Sequence, residues 1–577
     1  MKKKVLALIL ASSMSLLAIG CGNVKETENK ESIQNSIAES AQTVEQETQQ
    51  EEEPLEVTKI SYYPHEAILA SGVQEGFLKE WFAENGLEVE VWAYSAEKTS
   101  AMLASGDLPD VMLVNEEQLI TMIEGGLVMN LEEHLDKMPA LMAYDGIETA
   151  LNYSREFLSA NTGELYGIPG VIGKNPSDGT VERYDLKFFW DYYEAAGYPE
   201  FNDMYELIDV LKEIQQQFPT DANGNKVYGL GTWNGQYTYL YGYSRLFGYD
   251  NGAFTNVAMV NMVKDEVSYM LEEDGMLYEC LKWYNTMYKE GLLDPNTINL
   301  DRLTAMASKN EAGSYIISLA DSPGWTPTYL PVYFDGMQIW HPNSSPYGEK
   351  GGVLVVNAET QNLDACLRYL DLMADPDRTL IWQSGPQGEM WDVEEGTNVA
   401  YLTEAGIEAA KSGEKFVFST GEEFMLWNTW PVCSLGAETS YVDKDGNVLS
   451  NRVQDWPEYR AITDSDENIL SWKEYLGNKT WINFLKEKNA YFNDSRLKDY
   501  SKFIAQHPDE MKLLADSVAK TIDTAAWNMI FSDSEEDFNK IWKQMIIEAE
   551  ELGAKDVYNW FVTELEKALA IKESLAE

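Results

Sequence analysis

Apolar and polar positions change their period along the chain in a regular order. Val57 to Tyr63 is a β-rich run ending at Pro64, and residues 66–83 carry Ile68, Leu69, Val73, Phe77, Leu78, Trp81 and Phe82 at largely helical spacing. LEVEVWAY (87–94) alternates apolar and charged residues as a strand does. A helix is predicted from about 97 to 104, broken at Gly106, and DVMLV (110–114) reads as a short buried strand. Strand, helix, strand, helix, strand is the pattern of a parallel α/β sheet. Later segments add an aromatic-rich helix (Phe188, Phe189, Trp190, Tyr192, Tyr193), helices at about 203–217 and 276–290, and a VLVVNA strand (353–358). Two amphipathic helices, 535–550 and 555–570, close the chain.

The first residues follow neither period. A basic start (Lys2, Lys3, Lys4), an apolar stretch from Val5 to Leu17 and an exit through Ala18, Ile19 and Gly20 lead into Cys21. This is the layout of a bacterial lipoprotein signal peptide over residues 1–20, with Cys21 as the lipidated residue, although Ala18 stands where leucine is more usual. Residues 22–56 contain ten Glu, two Lys and no aromatic residue, a net charge of 2 − 10 = −8. Such a stretch buries too little apolar surface to offset its ordering entropy, so residues 21–56 are expected to form a disordered acidic tether. The folded part is then expected outside the cell, held by lipid on the outer face of a membrane.

Composition narrows the rest. Roughly 520 residues remain, more than one core accommodates, so two lobes are expected from length alone. The chain has a formal charge of −53, and −56 without the three signal lysines (−53 − 3), a balance that repels nucleic acid phosphates and anionic lipid. No second apolar run of about 18 residues occurs, leaving lipid as the expected attachment. Cys280, Cys366 and Cys433 are an odd set without CxxC spacing, so at most one disulfide could form, and the four histidines are scattered. No cofactor is expected.

Several segments together resemble the extracellular solute-binding proteins of ABC importers, in the large lipoprotein branch associated with carbohydrate uptake in Gram-positive bacteria. They are AMLASGDLPDVMLV (101–114), IEGGLVMNLEEHLDK (123–137), GELYGIP (163–169), DMYELIDVLKEI (203–214), LKWYNTMYKEGLLDPNTI (281–298), GGVLVVNAETQNLDACLRYLDLMAD (351–375) and FSDSEEDFNKIWKQMIIEAEELGAKDVYNWF (531–561). The resemblance implies a two-lobe α/β fold of the periplasmic-binding-protein type, with discontinuous lobes and a helical C-terminal extension. It places 57–166 and 312–358 in lobe 1, and 167–311 and 359–577 in lobe 2. It also implies a monomer that hands a carbohydrate, expected to be an oligosaccharide, to permease subunits of an ABC importer.

Ligands sit preferentially between lobes and beyond the carboxyl ends of strands. That nominates Tyr63 and His65 after the first strand and Asn115 after DVMLV. The chain has 17 Trp and 33 Tyr, many in Gly/Pro-punctuated loops. Flat aromatics stack on the C–H face of a sugar while carboxamides and carboxylates take its hydroxyls. Trp233, Trp325, Trp391, Trp427 and Trp430 are the expected platforms, with Asn234, Asp321 and Gln387 as hydroxyl partners. Asp221, Asn223 and Asn225 in DANGN alternate like calcium ligands, but the Gly comes early and no Glu follows at EF-hand spacing, which favours a tight turn. DKDGN (443–447) reads as a hairpin turn. No GxSxG, HExxH or P-loop pattern occurs, so an enzyme is not expected. The rival classes are a lipoprotein sensor or adhesin for a non-sugar ligand such as a peptide, and a glycoside hydrolase.

Overall fold

The computed structural model describes residues 55–64, 71–144, 146–170, 172, 185–233, 235–250, 252–299, 309, 312–319, 328–341, 345–412, 416–424 and 438–576. The expected signal peptide, Cys21 and most of the tether lie outside them.

The N-terminal segments build a six-stranded sheet in the order Gly72–Val73, Leu87–Val91, Thr58–Tyr63, Val111–Val114, Glu349–Val356, Ile168–Gly170. Thr58–Tyr63 pairs in parallel with its neighbours on both sides, with Ile60 opposite Val89 and Tyr62 opposite Val111. Glu349–Val356 runs antiparallel to Val111–Val114 and to Ile168–Gly170, so the sheet is mixed. Leu87–Val91 keeps Leu87, Val89 and Val91 buried with the two glutamates between them only partly covered, whereas all four residues of Val111–Val114 are buried, as a strand covered on both faces requires. One face packs Ile60, Val89 and Leu113 against Leu367, Leu370 and Trp382; the other packs Met112 and Val355 against Leu119, Met122 and Tyr153.

A second core is mostly helical. Met204–Gln217 buries Leu207, Leu211 and Ile214 on one stripe, capped at its N-terminus by Asp203, which accepts from two backbone N–H groups. It shares a cluster with Trp283, Ile316, Leu330, Val518, Ile522 and Trp542. The central strand Lys187–Phe189 pairs antiparallel with Ile317–Ser318 and with Tyr329–Pro331. A third, smaller cluster gathers Trp391, Phe416, Phe424 and Trp456 around Phe77 of the Gly76–Glu84 helix.

These pairings correct the expected lobe boundaries at three places. Ile168–Gly170 belongs to the first sheet, because its backbone completes the edge of Glu349–Val356. Residues 312–319 do not return to that sheet, since Ile317 pairs with Phe188. The Leu363–Met373 helix covers the first sheet instead of joining the second core, burying Ala365, Leu367, Tyr369 and Leu370 beside Ile60. The aromatic run also divides: Phe188 and Phe189 are in a strand, and a helix starts at Trp190. The two C-terminal helices form as expected, Glu535–Glu551 and Ala554–Ala576.

Candidate binding site between the two lobes

The carboxyl ends of the parallel strands form one edge of the first sheet. Tyr63 lies there but is 1% exposed, its hydroxyl donating to Ser95 O at 3.0 Å and sharing a 2.8 Å hydrogen bond with Thr99 Oγ1. It is a core residue, which corrects its expected ligand role. Asn115 stays exposed at the edge, but its side chain caps the Glu116–Glu124 helix: Oδ1 accepts the N–H of Gln118 at 2.9 Å and Gln118 Oε1 accepts that of Asn115 at 3.0 Å. The aromatics that reach surface here are Trp92 and Tyr94, both half-buried, with Lys98 Nζ 4.8 Å from the centre of the Trp92 ring and 5.5 Å from that of Tyr63. Trp92 and Tyr94 follow Leu87–Val91 just as His65 and Asn115 follow their strands. Applying the strand-end rule to this third strand would have found them.

Among the described residues two ion pairs tie the first sheet and its covering helix to helices near the C-terminus. Glu117 Oε2 meets Lys512 Nζ at 3.1 Å, from the Glu116–Glu124 helix to the Asp509–Ile530 helix. Lys502, only 7% exposed, meets Glu349 at 2.5 Å on the first sheet. Tyr153 donates its hydroxyl to Lys502 O at 2.6 Å. Beside this junction Asp250, Met262, Trp340, Glu349, Tyr500 and Lys502 line a cavity of about 170 Å³, with Tyr500 donating to Asp250 Oδ2 at 2.9 Å. A larger groove of about 790 Å³, lined by Lys520, Thr524, Asn528, Lys540 and Gln544, is formed by the hairpin of the Asp509–Ile530 and Glu535–Glu551 helices.

On the second core the loop before the Thr238–Arg245 helix carries Trp233, half-buried. Thr238 Oγ1 donates to Trp233 O at 2.7 Å, and the N–H of Tyr237 donates to Asp523 Oδ1 at 3.0 Å. Burial raises the Asp523 carboxyl above the ordinary range, with the Tyr237 N–H pulling the other way. Gly242 is required in that helix, because a Cβ there would lie 1.8 Å from Leu319 O.

The remaining nominated residues divide. Trp391 is 1% exposed, donates its indole N–H to Gly385 O at 2.9 Å and packs on Trp456, so it is a core residue and not a platform. Gln387 is exposed and donates to Asp392 at 2.8 Å. His65, Asn234, Asp321, Trp325, Trp427 and Trp430 lie outside the described residues. In DANGN, Asp221 Oδ1 accepts the N–H groups of Asn223 and Asn225, both at 2.9 Å, and Oδ2 accepts the Ser314 hydroxyl at 2.6 Å. Burial works against this carboxylate's charge, but the donors from Ser314, Asn225 and Asn223 outweigh it and hold its pKa below the usual value. That is the geometry of a turn, and among the described residues no group of three or more His, Cys, Asp or Glu is placed to hold a metal ion. Cys280 and Cys366 are free and buried, the Cys366 thiol pushed up to about 12 by burial.

No protein-family model matches the sequence, and no curated protein matches it. Solved structures do. FusA, an ABC-transporter substrate-binding protein of S. pneumoniae in complex with kestose, is 14% identical, covers 90% of this chain and 100% of its own, and gives a TM-score of 0.60. The fold is that of an extracellular solute-binding protein. An HMO-binding, ABC-transporter-associated solute-binding protein from Bifidobacterium longum infantis (14% identity, 88% and 99% covered, TM-score 0.54) and the alginate-binding protein AlgQ2 without calcium ion (14%, 89% and 98%, 0.52) share it. Among the described residues no helix is long and apolar enough to cross a membrane.

Proposed function

We propose that this chain is an extracellular, lipid-anchored solute-binding protein that captures a carbohydrate between its lobes and delivers it to the permease subunits of an ABC importer. It acts as a monomer and carries out no chemistry on its ligand. The observation that carries the reading is the set of half-buried aromatics, Trp92 and Tyr94 at the first sheet's edge and Trp233 on the second core. Half-buried rings keep one face for a sugar while their other contacts fix them. The fold shared with FusA, whose structure holds kestose, supports the same class of ligand. The 170 Å³ cavity is smaller than the roughly 300–1,000 Å³ of an ordinary ligand pocket and is lined by none of these rings, so it is not the sugar site of this reading.

A glycan panel read by thermal shift tests this. A ligand at 100 times its Kd stabilises the folded state by about 2.7 kcal/mol, so a true ligand raises the melting temperature in proportion to its concentration. A panel of neutral and acidic oligosaccharides that leaves the melting temperature unmoved, while a peptide or another small molecule raises it, rejects the carbohydrate reading. For the anchor, Cys21→Ala should move the protein from the membrane fraction to the medium or leave it unprocessed. A processed Cys21→Ala protein that still needs detergent for release would overturn lipidation.

A further inference from the structure

The loop that presents Trp233 is held by an acceptor from a distant part of the chain. Tyr237 sits at φ +58°, in the left-handed region that a side chain other than glycine occupies only where its surroundings keep it there. Its buried ring packs on Phe254 and Tyr239, but its hydroxyl has no hydrogen-bond partner among the described residues, so no phenol hydrogen bond holds the residue in place. The Asp523 carboxylate does, accepting the Tyr237 N–H at 3.0 Å. Tyr237 is the residue before the Thr238–Arg245 helix, and Thr238 Oγ1 reaches back to Trp233 O at 2.7 Å and Gly235 O at 3.1 Å. Fixing Tyr237 therefore fixes where the helix starts, and the helix start fixes the backbone that carries Trp233.

The Asp509–Ile530 helix, which carries Asp523, also bears Lys512, paired with Glu117 of the first lobe. Eleven residues separate Lys512 from Asp523, about 16 Å along an α-helix, so one rigid element joins the first sheet's edge to the Trp233 loop. We propose that Asp523 is a positioning residue of this loop: its carboxylate holds Tyr237 in the left-handed region and so sets Trp233 against the sugar. The proposal rests on the reading that the loop contacts a carbohydrate.

The test uses the mature full chain and its Asp523→Ala and Asp523→Asn variants. Amide exchange over 231–241 is measured by mass spectrometry without ligand. Binding is then measured with whichever of kestose, a milk oligosaccharide and an alginate oligosaccharide binds the wild type. Asp523→Ala should speed exchange in the 231–241 peptide by at least about tenfold while other second-lobe peptides stay unchanged, and Asp523→Asn, which retains an acceptor oxygen, should stay near the wild type. Affinity should fall about 5- to 30-fold for Asp523→Ala, and the double variant with Trp233→Ala should bind no worse than Trp233→Ala alone. Unchanged exchange in Asp523→Ala, a uniform rise across the second lobe, or full additivity in the double variant overturns the proposal. If none of the three sugars binds the wild type, the carbohydrate reading fails by itself, and the exchange comparison still decides whether Asp523 positions the loop.

Discussion

Residues 220–243 and 385–463 carry the same two sequence signals, and the fold treats them in opposite ways. Each holds a D-x-[N/D]-G-N pentapeptide and a nominated tryptophan with a glycine within three residues of it. The two turns are built alike. Asp443 Oδ1 accepts the N–H groups of Asp445 and Asn447 at 2.9 Å, matching the bonds of Asp221 to Asn223 and Asn225, and Gly224 and Gly446 both take positive φ, +81° and +84°. Burial is crossed between them. Asp221 is 6% exposed and bonded to Ser314 while Trp233 keeps surface, whereas Asp443 is only half-buried in a hairpin while Trp391 is fully enclosed. Five residues fix the hydrogen bonding of a turn; whether the turn or the tryptophan is buried depends on Ser314 and Trp456, 93 and 65 residues away in sequence.

The sharpest way to break this contrast is Trp391→Ala. The substitution empties a site walled by Trp456 and Tyr441 and leaves Gly385 O without its donor, a change of the kind that costs about 3 to 5 kcal/mol. The melting temperature should fall clearly, with the affinity of the surviving folded protein unchanged. A stable variant with weakened sugar binding would return Trp391 to the list of platforms.

Next in size is Asp221→Ala. It strips acceptors from a buried Ser314 hydroxyl and from two loop N–H groups, and unpaired buried donors cost about 1 to 3 kcal/mol. Thermal melting should register the loss without added calcium or chelator making a difference. A melting temperature that rises with calcium in the wild type and not in Asp221→Ala would restore the metal reading of the loop.

The part of the fold that could be read from sequence is the part held together by neighbours in sequence. Leu87–Val91 and Val111–Val114 announce themselves by alternation and by an unbroken apolar run, and Met204–Gln217 by its stripe and its Asp203 cap. What misled was long-range pairing: nothing in GSYIISL says that Ile317 pairs with Phe188 and not with the first sheet. The site divides in the same manner. Strand ends could be located in the sequence, but Tyr63 and Asn115 have their polar groups committed to Thr99 and Gln118, and no periodicity reports such commitments. Glycine beside tryptophan is equally mute, since Gly385 serves to accept the Trp391 indole while Gly235 lies in the loop of Trp233.

Trp233→Ala should reverse the behaviour of Trp391→Ala. A half-exposed ring leaves little cavity when removed, so stability should change less than in Trp391→Ala, while losing a stacking face should weaken sugar binding by about 1 to 2 kcal/mol, 5- to 30-fold. Trp92→Ala should behave the same way from the opposite lobe. Calorimetric titration with the sugar identified by thermal shift checks both. If each lowers the melting temperature as far as Trp391→Ala and neither weakens binding, these rings are packing residues and the aromatic reading of the cleft is lost.

The smallest expected effect is that of Asp443→Ala, and it isolates burial from turn chemistry. The bonds from Asn447 hold the Asp443 carboxyl below its ordinary pKa, as those of its own loop help to do for Asp221. A carboxylate whose folded pKa is depressed contributes stability that is present above its unfolded value of about 3.9 and is lost as pH falls through the folded one. Both carboxylates therefore act at neutral pH, and the advantage of the wild type over each alanine variant should shrink on acidification below about pH 4. Solvent screens Asp443 and can satisfy the N–H groups it leaves behind, so Asp443→Ala should shift the melting temperature by less than about 1 °C at pH 7. Asp221→Ala leaves its donors where water reaches poorly and should lose more at every pH above 4. Equal shifts for the two variants at pH 7 would mean that the pentapeptide, and not its surroundings, sets the worth of the turn.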